Sequence, residues 1–240
     1  MQHQFEEEPT LLTTRARLTG AMYIPYLLFG IPLFLRSKLI VPTDAAATAA
    51  HILASTNLYR ATIVTDLISY LLYIALTYLF YSLLRPVNRA WAAVATLFTL
   101  SGCVVLIMSS ALLMTPLLLQ GDGAFQAIDP AQRQGLALVA LKLFSFGYTI
   151  GLLLFGAQWL IMGPLFAKSR LVPKLIGYSL FAGGVGWVAF AIATILGSPF
   201  RLALQRIVMP IGGISELALA AWLVIFAGWH AAKEDSSETP

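Results

Sequence analysis

Six stretches of this chain, near residues 18–35, 58–84, 90–119, 136–166, 175–197 and 207–230, run almost without charge. A helix needs about 20 residues to cross a hydrocarbon core of ~30 Å, so these stretches have the length of membrane spans. Within lipid every peptide group must be bonded inside its own segment, which makes each stretch a helix and rules out an open sheet. Composition points the same way: 59% apolar and 11% charged residues leave too little polar surface to coat a water-soluble globule. The expected fold is therefore all-α, a polytopic membrane protein with a bundle of six transmembrane helices. It occupies residues 15–230 between a short N-terminal tail, 1–14, and a C-terminal tail, 231–240. The first stretch ends in Arg36 and Lys38 without a small-residue cleavage site, the pattern of an uncleaved span.

The net charge of +4 comes mostly from short loops, where it bears on membrane orientation and is no argument for nucleic acid. With the N-terminus inside, Arg15, Arg17, Arg85, Arg89, Lys168, Arg170, Lys174 and Lys233 fall on the inner side. Arg36, Lys38, Arg133, Arg201 and Arg206 fall outside. Eight against five favours cytoplasmic N- and C-termini, in the cytoplasmic membrane.

The outer segment "PTDAAATAAHILASTN" has the signature of a short surface helix over 44–56, N-capped by Asp44 or Thr43 and terminated near Asn57. His51 lies in it without a neighbouring His, Cys or Glu. Cys103 is the single cysteine, so an intrachain disulfide and a cysteine-based metal site are both excluded. No metal site and no cofactor are expected. The "FLRSKLIVP" of residues 34–42 has a near twin in the "FAKSRLVP" of 166–173, three crossings away and hence on the opposite side of the membrane. The pair fits an inverted three-plus-three repeat. A convergence of two helix ends on Ser, cations and Pro accounts for it better, because spans three and six show no correspondence.

Charge inside a span is costly, at least about 2.5–3.5 kcal/mol near the bilayer centre, so Asp66, Lys142 and Glu216 are the residues to explain. Measured from the expected starts of spans two, four and six, they lie roughly 12, 9 and 14 Å deep, in one layer. On span two Thr62, Asp66, Ser69, Tyr70, Tyr73 and Thr77 recur at three- and four-residue spacing and form a polar stripe. Lys142, Ser145 and Thr149 share a phase on span four, while Gly213, Glu216 and Ala220 do so on span six. These stripes are expected to line one polar cleft, with Lys142 pairing a carboxylate and Tyr70 and Tyr73 offering stacking and hydrogen-bonding surface. The competing reading makes Asp66–Lys142 an interhelical ion pair and Glu216 a residue that only fixes packing. "GYTIG", Gly147 to Gly151, has the G-x-x-x-G spacing of a close helix contact, within the chain or between two copies. The three glycines 183, 184 and 186 mark another close approach or a flexible segment.

Enzyme motifs are missing: no H-E-x-x-H, no G-x-S-x-G and no phosphate-binding glycine loop occur, and the three histidines lie outside or at the edges of the spans. Paired carboxylates leave acid–base chemistry on a lipid substrate open.

The runs "RLTGAMYIPYLLFGIP", "RSKLIVPTDAAATAAHILAS", "LLRPVNR", "FGYTIGLLLFGAQWLIMGPLFAKSRLVPKLIGYSLFAGGVGW" and "ELALAAWLV" together resemble the bacterial membrane-protein family known as domain of unknown function 4386. The resemblance extends from about Arg15 to about Trp229. Its most specific pieces are Pro42, Asp44 and Ala45 in the outer segment, the Pro86–Val87–Asn88 turn, and the spacing of Ser169, Pro173 and Gly177. It implies a six-helix architecture in a bacterial membrane and no particular reaction. One departure is Gln158 in "FGAQ", where the family implies a histidine. The leading functional expectation is binding or transport of a small amphipathic or ionic ligand. The alternatives are a structural or regulatory membrane protein and a lipid-modifying enzyme. The expected partners are the lipid bilayer, a small molecule, lipid or ion, and a second copy of the chain.

Overall fold

The computed structural model describes residues 9–28, 30–121 and 123–226. The expected C-terminal tail, 231–240, and the first eight residues of the expected N-terminal tail lie outside them. Nine α-helices run through the described residues: α1 Pro9–Leu28, α2 Gly30–Ser37, α3 Ala45–Ala54, α4 Thr56–Leu84, α5 Arg89–Ser110, α6 Thr115–Gly121, α7 Pro130–Lys168, α8 Lys174–Ile195 and α9 Arg201–Ile225. Six helical segments are long and apolar enough to cross a membrane: Leu11–Ser37, Thr56–Leu84, Arg89–Gln120, Pro130–Lys168, Lys174–Ile195 and Arg201–Ile225. The protein is a multi-pass helical membrane protein, as its apolar pattern predicts.

Local chemistry sets where helices begin. Asp44 caps α3, its Oδ1 accepting from the backbone N–H of Ala47 at 2.8 Å. Asn88 does the same for α5, accepting from Trp91 at 3.0 Å. Asp129 caps α7 by accepting from Ala131 and Gln132, and Pro130 supplies a first helical residue whose missing N–H costs nothing there. The expected stop of α3 at Asn57 is corrected. Ser55 ends the helix, and Asn57 belongs to the first turn of α4, so the surface helix and the second span are separated by one residue.

Consecutive spans pack side by side, α1 on α4, α4 on α5, α5 on α7, α7 on α8 and α8 on α9, and α9 packs back on α1. The result is a closed ring of six helices in chain order. Glycines set its tightest seams. A Cβ at Gly177 would stand 2.6 Å from the Ala167 nitrogen, and one at Gly163 would stand 2.7 Å from the Gly177 carbonyl oxygen, so α7 and α8 touch backbone to backbone. Gly20 meets the Ala220 carbonyl across α1 and α9 in the same way. Gly147 and Gly151 face Ser109 and Leu106 of α5, which places "GYTIG" in an internal contact.

Each end of the ring is filled by apolar side chains. One core gathers Phe80, Leu83, Leu84, Phe166, Val172 and Leu223 beneath the α4–α5 and α7–α8 turns. The other gathers Ile52, Tyr59, Ile63, Leu113, Leu141 and Phe144 beneath α3, and there the Tyr59 hydroxyl donates to the Leu113 carbonyl at 2.7 Å. The outward faces carry Leu71, Val104, Met108, Leu143, Val185 and Ile214, all exposed. An apolar exterior of this kind is matched to lipid, not to water.

Candidate functional site

The polar stripe of α4 faces the middle of the ring. Asp66, Ser69, Tyr70 and Tyr73 line a cavity of about 300 Å³ that lies between the two apolar cores. Every span contributes to it: Tyr26 from α1, Leu106 from α5, Tyr148, Phe155 and Trp159 from α7, Trp187 from α8, Glu216 from α9, with Gly30 and Leu33 from α2. Asp66, Tyr70, Tyr73 and Glu216 are thus brought to one space. Thr62 and Thr77, from the same stripe, lie above and below it.

Asp66 is partnered by a residue that the sequence places elsewhere. Arg36, on the last turn of α2, donates from one guanidinium nitrogen to Asp66 Oδ2 at 2.5 Å and to Thr62 Oγ1 at 3.4 Å. Its guanidinium carbon lies 5.2 Å from the centre of the Phe144 ring, within cation–π range. Arg36 is 1% exposed and Asp66 4%, so this is a buried ion pair and Arg36 is not an outer loop cation. Three-residue spacing carries Arg36 round to the inward side that Gly30 and Leu33 occupy. Its other guanidinium nitrogen is buried without a hydrogen-bond partner.

Lys142 does not enter the cavity. It is exposed, on the outward face of α7 that also shows Val139, Leu143 and Phe146. The pairing expected between Lys142 and a carboxylate is corrected to Arg36–Asp66. The physical reason is the length of α7, 39 residues or about 58 Å, nearly twice the hydrocarbon thickness. On a helix of this length Lys142 need not lie at mid-bilayer, and its exposed side chain faces away from the ring. Ser145 is exposed as well, and its hydroxyl donates to the Leu141 carbonyl at 3.0 Å. Thr149 is buried, and its hydroxyl donates to the Ser145 carbonyl at 2.9 Å. Both hydroxyls are satisfied on their own helix, and the cavity face of α7 is instead Tyr148, Leu152, Phe155 and Trp159.

Glu216 has no ion-pair partner among the described residues. The phenol of Tyr23 and the indole of Trp159 flank its carboxylate. The Tyr23 side chain is fully buried there. Aromatic rings continue the wall: Tyr26 stacks on Tyr73 with centroids 4.4 Å apart and on Tyr23 at 5.6 Å, and Phe155 meets Tyr73 edge-on at 5.2 Å. Behind Tyr73, Gln158 is 1% exposed, and its Nε2 donates to the Tyr73 hydroxyl at 3.0 Å. The position where the family resemblance implies a histidine therefore holds a tyrosine of the cavity wall in place.

The cavity has a mouth on the side of the ring. Gly30, Met209 and Gly213 line it and are also exposed, and a Cβ added at Gly30 or Gly213 would meet nothing within 4 Å. The gap lies between α2 and α9, where Pro210 removes one rung of the helix ladder. Among the described residues no three His, Cys, Asp or Glu side chains cluster to hold a metal ion, and His51 is exposed on α3.

The sequence profile of the family described as Domain of unknown function (DUF4386) matches residues 18–227, and the chain belongs to that family. No curated protein and no solved structure matches it.

Proposed function

We propose that this member of the DUF4386 family binds a small amphipathic molecule in the central cavity of its helix ring, admitting it sideways between α2 and α9. The observation that carries this reading is the cavity itself: about 300 Å³, walled by tyrosine, phenylalanine and tryptophan, with one carboxylate unpaired and a mouth between two spans. Pockets of this size, mostly apolar with a few convergent polar groups, are where small ligands bind. Apolar cores fill the ring above and below, so the fold is a binding chamber and not an open pore. Movement of the ligand across the membrane requires one of those cores to rearrange.

Arg36 withdraws into the ring while the exposed Arg60 stands in the first turns of α4, so the outer cations stay at five, Lys38, Arg60, Arg133, Arg201 and Arg206, against the same eight inside. This bias supports cytoplasmic termini in the proposed cytoplasmic membrane, and in that orientation the mouth would open to the outer half of the bilayer. Native mass spectrometry of the purified protein tests the binding reading. A specific bound mass is expected in the wild type and absent from Gly213→Phe, which places a ring in the mouth. Equal occupancy of both, or no bound mass in a folded wild type re-exposed to its own lipid extract, contradicts it.

The structural alternative has one observation in its favour, the Arg36–Asp66 pair, which ties α2 to α4. It accounts for Asp66 and leaves both Glu216 and the cavity unexplained.

A further inference from the structure

Charge balance inside the cavity narrows the ligand class. Among the described residues two carboxylates line the space, Asp66 and Glu216, and no Lys, Arg or His does. Asp66 is neutralised by Arg36, which bonds Asp66 and Thr62 through one nitrogen, lies over the Phe144 face and is not among the residues that line the cavity. Lys142 is turned outward. That leaves Glu216 as the one acid of the chamber with no cation beside it among the described residues.

Around it stand rings: Tyr26, Tyr73, Tyr148, Phe155, Trp159 and Trp187 all line the same space. Aromatic faces carry negative potential and attract a cation centred within ~6 Å, most strongly when water is excluded. A carboxylate without a counter-ion, set in an aromatic wall, is the recognition chemistry of an amine or quaternary ammonium with an apolar body. An anionic ligand would find Glu216 and no cation among the described lining residues, and is disfavoured.

We infer that the cavity is a site for a lipophilic organic cation, its ammonium held between Glu216 and the aromatic wall. This rests on the cavity-binding reading above and adds the sign of the ligand's charge. The cation completes what the chamber lacks, an electrostatic partner for Glu216. Its apolar body meets the tyrosine and tryptophan faces, and lateral access from the bilayer suits a molecule that partitions into lipid.

Two probes of one shape separate charge from hydrophobicity: benzyltrimethylammonium and neopentylbenzene, in which carbon replaces the charged nitrogen. Saturable binding to the detergent-solubilised full-length protein is measured by equilibrium dialysis, with empty micelles subtracted. The ammonium is expected to bind about tenfold or more tighter than the hydrocarbon. Glu216→Gln abolishes that preference, while Glu216→Asp, which keeps the charge, retains part of it and guards against a variant that simply misfolds. Lys142→Gln changes the net charge of the molecule outside the chamber and leaves the preference unaltered. Equal affinity for the two probes, or a preference that survives in folded Glu216→Gln, overturns the cation assignment. If in that case the hydrocarbon still binds saturably and Gly213→Phe blocks it, the cavity reading stands without the cation. If neither probe saturates, both fall.

Discussion

At the scale of single residues, the spans hold two acids in different states of compensation, Asp66 buried and Glu216 partly exposed to the cavity. Asp66 has a cation at 2.5 Å and Glu216 has none among the described residues. Removing one partner of a buried ion pair strands the other, at a cost of about 3–5 kcal/mol. Arg36→Met and Asp66→Leu alone are each expected to lower thermal stability by that order in detergent. The double variant, with no charge left to strand, recovers most of the loss; a double variant as damaged as the sum of the singles contradicts the pairing. Lys142→Leu, on the outward face, stays within about 0.5 kcal/mol of the wild type. Asp66 and Glu216 were legible because a charge within an apolar run has no bland explanation. Arg36 was not, because beside Lys38 at the end of a span it has the pattern of an ordinary flanking cation. Lys142 was misplaced because hydropathy marks where a helix is apolar and not where a longer helix sits in the bilayer.

At the scale of elements, close backbone approach sets the seams of the ring. Gly177→Val puts atoms within 2.6 Å of the α7 backbone, where no flexible side chain can yield. Overpacking of that kind is expected to cost about 1–3 kcal/mol, read as a lower unfolding temperature, with the cavity variants unaffected. Asp44→Ala is expected to cost about 1 kcal/mol through the lost cap and to raise amide exchange over residues 45–48 alone. The twin segments have a local answer at this scale. Ser37 donates to the Phe34 carbonyl at 2.7 Å, and Ser169 to the Phe166 carbonyl at 2.8 Å, the same closure of a last helical turn. Their surroundings are opposite, since Phe34 is 63% exposed and Phe166 fully buried, while Arg36 is buried and Lys168 exposed. Shared letters encode a way to end a helix; burial is decided by neighbours that a one-dimensional pattern does not contain. The stripe on α4 was legible because one helix face carries its period. The Ser145–Thr149 stripe misled because the face of α7 that turns to the cavity is aromatic and apolar, Tyr148, Leu152, Phe155 and Trp159, and carries no polar period.

At the scale of the whole molecule, ring closure by α1 and α9 turns separate stripes into one chamber. Nothing in the chain order announces that the first and last spans meet; the Gly20–Ala220 approach shows it only in three dimensions. Gly213→Phe is expected to leave the unfolding temperature near that of the wild type, since its Cβ meets nothing, while closing the chamber to ligand. The most direct measurement is a cryo-electron microscopy map of the protein purified with its native lipids. Elongated density is expected inside the ring, with one end against Glu216 and its length along Tyr26 and Tyr73, continuing toward the gap between α2 and α9. A well-resolved ring whose centre holds only ordered water, or whose tyrosines have collapsed to fill it, would contradict the account.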